Sequence, residues 1–192
     1  MGGIKRFDRI RPKLRLRLAK RGALIVMVTV CVAWPGAIAQ TPAEMTAVSL
    51  FNFAKFVEWP PEVLPGADTP IVIGVICEDA IVSEIESTVR NKTANGRRIV
   101  VQRFRKASDF FYCHILFVGA SESNELAKLL AGIKNTSVLT VSETEGFTRS
   151  GGIVNIAIRD NRLQFEINQT AAERAGLKIS SKLLRVARVV RD

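Results

Sequence analysis

Short runs of consecutive apolar residues alternate with amphipathic stretches along most of the chain. Three runs, at 71–76, 114–119 and 136–142, are nearly continuous and rich in β-branched residues, which favours strands covered on both faces. Between them, apolar residues recur every three or four positions over 78–91 and 121–133, the spacing of an amphipathic helix. Strands and helices that alternate in this way favour parallel strand pairing with helices packed on the sheet.

A helix is predicted before the first strand. Thr41 suits the N-cap, Pro42 suits the first turn, and Glu44 stands where a capping box places a carboxylate. Aromatic and aliphatic residues then follow at helical spacing, which indicates a broad apolar face for packing on a sheet. Pro60 and Pro61 are expected to end the helix.

The pattern changes towards the C-terminus. Residues 97–105 alternate like a strand near a sheet edge, and residues 151–168 predict two strands about a tight turn at 159–161. Residues 169–177 and 179–190 predict helices. The sequence therefore predicts one α/β domain with a mixed, mostly parallel sheet of about five to six strands, helices on both faces and a C-terminal hairpin.

Two serines stand directly before a lysine in "ISSKLLRVARVV", which raises the question of a hydrolase. A serine nucleophile needs its base within hydrogen-bond distance, but Ser181 and Lys182 are adjacent and point to different sides of a helix. The SxxK spacing, which would put both on one face, is absent. Ser180 suits a helix N-cap instead, and Arg188 and Arg191 at the far end suit the helix dipole. The serines therefore predict the start of a helix.

The other candidates for chemistry favour structural roles. His114 is the only histidine, and along a strand its side chain and that of Cys113 point to opposite faces. Glu166 has no second carboxylate at a definable spacing and is expected to pair with an arginine or lysine. The "SGG" at 150–152 lacks the lysine and the further glycines of a phosphate loop. We therefore expect no catalytic residue, no metal site and no cofactor.

The net charge of +10 is concentrated at the N-terminus. Residues 1–39 contain nine basic residues and one acid, so the rest of the chain is nearly neutral, which argues against nucleic-acid binding. An apolar run at 22–34 and a small-x-small sequence ending at Ala39 follow the basic residues. Together they predict a secretory signal peptide at 1–39, with Gln40 as the first mature residue and no stable membrane insertion after cleavage. The alternative is an uncleaved amphipathic segment or membrane anchor.

A small exported domain without catalytic residues most often binds a partner. The aromatic residues of the 109–112 and 145–149 loops are the most available for contact, although core packing is the alternative role of each. The exposed side of the predicted last helix adds cations. The expected partner-contact residues are Phe110, Phe111, Tyr112, Phe147, Arg149, Lys182, Arg185 and Arg188.

Five stretches between residues 47 and 190 stand in a specific order: "LFNFAKFVEWP", "GRRIVVQRF", "CHILFVGASE", "LTVSETEGFTRSGGIVNIAI" and "LQFEINQTAAERAGLKISSKLLRVARVV". In their order and spacing they resemble the YfiR-like family of exported bacterial proteins. The resemblance implies a periplasmic α/β domain, commonly a homodimer, without enzymatic activity. It also implies a partner, the periplasmic sensor region of an inner-membrane diguanylate cyclase, which the protein holds inactive and so limits cyclic-di-GMP and biofilm formation.

Cys77 and Cys113 remain after cleavage, and an oxidising compartment permits a disulfide between them. The resemblance implies a further point, because members of the YfiR-like family often have a cysteine within the first sheet strand, near the position of Gly74. Here Cys77 lies at the far end of that predicted strand, whereas Cys113 comes just before its own strand. Parallel neighbouring strands would then hold the two cysteines farther apart than the ~7 Å between Cα atoms that a disulfide allows. The disulfide is therefore an open alternative.

Two other classes of function stay open. The protein could be a small-ligand sensor that works with a histidine kinase, an outer-membrane receptor or another membrane sensor. A concave apolar pocket with converging polar groups would favour this alternative. The sequence has no nucleophile paired with a base, no metal-ligand cluster and no nucleotide-binding motif, which disfavours an enzyme.

Overall fold

The computed structural model describes residues 40–120, 123–160 and 162–191. The helices are α1 (Pro42–Phe56), α2 (Asp79–Val89), α3 (Ser123–Ile133), α4 (Gln169–Arg174) and α5 (Ser181–Leu184), with 3-10 turns at Ala107–Asp109 and Phe147–Ser150. The strands are β1 (Val57–Glu58), β2 (Ile71–Ile76), β3 (Thr93–Ala94), β4 (Arg97–Arg103), β5 (Ile115–Val118), β6 (Leu139–Ser142), β7 (Val154–Arg159), β8 (Arg162–Asn168), β9 (Lys178–Ile179) and β10 (Ala187–Val190). The predicted signal peptide at 1–39 lies outside the described residues and stays a prediction.

The strands form an eight-stranded sheet in the order β10-β8-β7-β6-β5-β2-β4-β3 and a two-stranded sheet of β1 and β9. The five central strands, in the spatial order β4-β2-β5-β6-β7, all pair in parallel. The strand β10 also pairs in parallel with β8. The pairs β7–β8 and β3–β4 are antiparallel. The predicted α/β class and mostly parallel sheet are therefore confirmed, with more strands than expected.

Two strands account for the larger sheet. The short strand β3 pairs with β4 through a turn in which Asn95 and Gly96 have φ of 52° and 79°. An Asn-Gly pair is a strong sequence signal for such a hairpin turn, and this one was missed. The other unpredicted strand is β10, which lies in the segment expected to be the last helix.

Helices cover both faces of the sheet. On one face, α1, α2 and α4 pack over alternate residues of the central strands, including Ile73, Phe117 and Val141. On the other face, α3 packs over residues such as Ile76 and Leu116. Successive side chains of a strand point to opposite faces, so a nearly continuous apolar run supplies both cores.

The first helix begins as predicted and ends earlier. The Thr41 hydroxyl accepts a hydrogen bond from the Glu44 N–H at 3.2 Å, and the Glu44 carboxylate accepts one from the Thr41 N–H at 3.0 Å. This confirms the capping box. The helix ends at Phe56, before the prolines, because Val57 continues as strand β1 and pairs with Ile179 of β9.

Candidate functional site

The strand β10 forms one end of the main sheet, and no strand of the described chain pairs with its outer side. It runs parallel to β8, with Ala187 opposite Phe165 and Val190 opposite Asn168. The outer backbone groups of such an edge strand are open to pairing with another chain. We call the surface formed by residues 181–191 and the partly exposed β8 residues opposite β10 the C-terminal edge.

The predicted last helix is wrong beyond its first turn. Ser180 accepts a hydrogen bond from the Lys182 N–H at 3.3 Å, which confirms its role as N-cap. The helix ends after Leu184, and the segment expected to be its second half contains β10. Three β-branched valines suit a strand, and β8 offers that segment a row of backbone partners. Arg188 therefore lies on a strand and not on the exposed side of a helix.

The C-terminal edge is strongly cationic. Residues 178–191 contain five basic residues and no acid. The contact residues predicted in this segment, Lys182, Arg185 and Arg188, are exposed. Arg188 forms an ion pair with Glu166 at 3.3 Å, yet 79% of the Arg188 side chain is exposed. Because exposed ion pairs contribute little to stability, the arginine can turn to a partner at small cost.

Glu166 links the C-terminal edge to the 3-10 turn at Phe147–Ser150. Its carboxylate accepts a hydrogen bond from the Thr148 hydroxyl and pairs with Arg188. Thr148 is fully buried, and its carbonyl accepts a hydrogen bond from the Asn168 side-chain amide at 3.0 Å. The expected pairing of Glu166 with an arginine is thus confirmed, and the same carboxylate holds the turn against β8.

Two apolar side chains on the C-terminal edge were missed from the sequence. Val186 is 68% exposed and Val189 is 38% exposed. The valine-rich stretch that contains them was the available signal, because it has the composition of a strand rather than of a helix. Exposed apolar side chains beside an open strand edge are typical of an association surface.

The aromatic residues at 110–112 lie elsewhere on the sheet. Phe111 is 70% exposed and contacts the Phe104 ring edge-on, with 5.5 Å between ring centroids. Tyr112 is 40% exposed, and Phe110 lines a groove against α3. These residues precede β5, which stands four strand spacings from β10, roughly 19 Å at ~4.8 Å per strand. The structure therefore does not bring the two predicted contact groups together.

Phe147 is unavailable to a partner, so its assignment as a contact residue is wrong. It is fully buried in the core beneath α3. Gly146 and Gly151, with φ of 76° and 92°, allow the turns that send the Phe147 ring inward. A Cβ atom at Gly152 would overlap that ring. The neighbouring Arg149 is exposed.

His114 has a structural role and holds three segments together. Its Nδ1 accepts a hydrogen bond from the Val72 N–H at 3.0 Å, so Nε2 carries the proton and donates to the Val63 carbonyl at 3.2 Å. The Tyr112 hydroxyl lies 3.1 Å from Nε2, and the Trp59 indole N–H donates to the His114 carbonyl at 3.2 Å. Burial lowers the pKa of His114 below its usual value.

The permitted Cys77–Cys113 disulfide is not formed in this fold. Cys113 packs against Gly74, where a Cβ atom would lie 2.8 Å from the Cys113 sulfur. Cys77 is three residues beyond Gly74, about 10 Å along the strand at ~3.3 Å per residue, and packs beside Gly119. A disulfide needs Cα atoms within ~7 Å. Burial also raises the pKa of the Cys113 thiol to about 12, which keeps it unreactive.

Among the solved structures with a related fold, one matches most of this chain. It is the crystal structure of a conserved domain protein from Vibrio cholerae O1 biovar El Tor strain N16961, with a TM-score of 0.52 and 13% sequence identity. The match covers 79% of this chain and 60% of that chain. This chain thus spans less than two thirds of the Vibrio protein, and the likeness shows the fold alone.

A family model confirms the resemblance found in the sequence. The model described as YfiR/HmsC-like matches residues 43–188, most of the chain. Proteins of this family are periplasmic, non-catalytic regulators of diguanylate cyclases. Within the described residues, every helix is too short or too polar to cross a membrane. The match over most of its length shows that this chain belongs to the YfiR/HmsC-like family.

Proposed function

We propose that this protein binds the periplasmic sensor region of an inner-membrane diguanylate cyclase through its C-terminal edge and holds the cyclase inactive. The family match over residues 43–188 carries the proposal, because that family regulates diguanylate cyclases. Binding acts through occupancy. A regulator that prefers the inactive conformation of the cyclase shifts the population towards it, and release of the regulator reverses the shift.

The C-terminal edge suits an extended, acidic segment of the partner. The outer side of β10 offers backbone groups for strand addition, and Val186 and Val189 offer apolar contacts. The exposed cations Lys182, Arg185 and Arg188 favour carboxylates on the partner. Two copies of this edge would repel each other, so the expected homodimer would have to use another surface. Light scattering on the purified protein tests that dimer separately.

Gene deletion and a charge-reversal variant test the function and the surface independently. Deletion should raise cyclic-di-GMP and biofilm, and unchanged levels would reject repression of a cyclase. The variant Lys182→Glu/Arg185→Glu keeps the Glu166–Arg188 ion pair and changes two exposed side chains. We expect this variant to accumulate normally on an immunoblot and to lose repression.

The matched control is Arg90→Glu/Arg98→Glu, two exposed arginines at the opposite end of the main sheet, next to β3 and β4. It makes the same change in net charge away from α5 and β10 and should repress normally. If the edge variant also represses normally while deletion raises cyclic-di-GMP, the function stands and the C-terminal edge is the wrong surface.

A further inference from the structure

A cavity of about 390 Å³ lies between the C-terminal part of α3, the turn at Phe147–Ser150 and α4. Every charged side chain among the described residues that line it is a cation. They are Lys134 just after α3, Arg149 in the turn and Arg174 at the end of α4. Apolar residues such as Ile153 and Ala171 form part of the wall. The cavity therefore combines a cationic rim with apolar wall residues, and three separate segments of the fold supply the cations.

We propose that this cavity binds a small organic anion, a carboxylate or phosphate group attached to an apolar body. Cations from three segments around one concavity give it a positive potential, which attracts an anion. The apolar wall residues accept the body of the ligand. The three cations are exposed and therefore screened by solvent, so the affinity should be modest, with a Kd on the order of 0.1–1 mM.

The position of the cavity gives the ligand a route to the C-terminal edge. Arg149 follows Thr148, whose hydroxyl donates to Glu166, and Glu166 pairs with Arg188 on β10. A ligand that draws in Arg149 therefore acts on a turn that is hydrogen-bonded to the docking surface. Control of partner binding by this route rests on the proposed function, whereas the anion site itself does not.

Calorimetry and NMR on the purified mature protein test the site without the cyclase. The probe is phenyl phosphate, with benzyl alcohol as the uncharged control and inorganic phosphate as the control without an apolar body. We expect phenyl phosphate to bind more tightly than either control, and its affinity to fall as NaCl rises from about 0.05 M to about 0.5 M. The variant Arg149→Gln/Arg174→Gln should weaken binding at least about tenfold. The matched control Arg159→Gln/Arg162→Gln changes two exposed arginines at the turn between β7 and β8, outside the cavity, and should bind like wild type.

The NMR experiment needs no variant and covers the case in which the double substitution unfolds the protein. On the wild type, phenyl phosphate should shift the backbone amides of Gly151 and Ala171 in the cavity wall and those of Glu166 and Arg188 on the edge. No binding at about 10 mM probe, or equal binding by the Arg149→Gln/Arg174→Gln variant, would overturn the anion site. Shifts confined to the cavity wall would overturn the link to the C-terminal edge.

Discussion

A cysteine introduced at Gly74 should form a disulfide with Cys113. A Cβ atom built on Gly74 lies 3.1 Å from the Cys113 Cβ and 2.8 Å from its sulfur. Disulfides have Cβ–Cβ distances of roughly 3.5–4.5 Å, so the two segments need to separate by only a few tenths of an ångström. The same Cβ lies 2.8 Å from the Phe104 ring, which must shift. The geometry at Gly74 and Cys113 is therefore close to that of a disulfide, with the two Cβ positions slightly too near each other.

The expected gain follows from two opposing effects. Closing a loop of about 40 residues stabilises the folded state by about 4 kcal/mol on the chain-entropy model. Crowding Cys113 and Phe104 costs about 1–3 kcal/mol. The oxidised Gly74→Cys variant should therefore gain about 1–3 kcal/mol in free energy of unfolding, with a melting temperature higher by about 5 °C. Because the Cys113 thiol has a pKa of about 12, the bridge should form during refolding with oxidised glutathione rather than in the folded protein.

Thiol counting and thermal unfolding measure the result. Thiols are counted on the denatured, unreduced mature chain, residues 40–192, which contains Cys77 and Cys113. The Gly74→Cys variant should show one thiol, that of Cys77, where the wild type shows two. The control Gly74→Ser adds a side chain of similar size without a bridge and should lose about 1–3 kcal/mol. Three thiols after oxidative refolding, or a bridged protein no more stable than Gly74→Ser, would refute the predicted contact between β2 and Cys113.

Two further predictions concern the core. His114 titrates below its usual pKa of about 6.5 because burial disfavours its charged form, so the unfolded state binds more protons and stability falls as pH drops below about 6.5. Urea unfolding at about pH 7.5 and about pH 5 measures the free energy of unfolding at each pH. Between the two, wild type should lose more of this free energy than His114→Asn, by up to about 1.4 kcal/mol per pH unit. Equal losses in the two proteins would contradict this. Gly152→Ala should cost about 1–3 kcal/mol because its Cβ overlaps the Phe147 ring. By contrast, Gly132→Ala in α3, with open space around the new Cβ, should stabilise by about 0.5–1 kcal/mol, and similar chemical-denaturation midpoints for the two variants would contradict the packing argument.

The candidate site was predicted only in part. The cations predicted for contact in the last segment, Lys182, Arg185 and Arg188, do lie together on an exposed surface. Most of the apolar residues between them are at least partly buried, so the cations face solvent whether the segment forms a short helix or a strand. The aromatic residues at 110–112 proved to be a separate group, and Phe147 proved to be buried. The sequence of a loop does not determine whether its phenylalanine points into the core or into solvent. That depends on the surface beneath it, here the α3 side of the sheet.

The sequence by itself determined the local elements of this protein. Residues 71–76 form a strand, Thr41 and Glu44 cap the first helix, and the hairpin turns near Asp160, because propensity, capping and turn geometry depend on residues a few positions apart. The tertiary structure alone decided that residues 187–190 pair with β8, that Cys113 contacts Gly74 and not Cys77, and that Arg149 and Arg174 share a cavity. Each of these depends on strand pairing or packing between residues distant along the chain, which no local pattern contains.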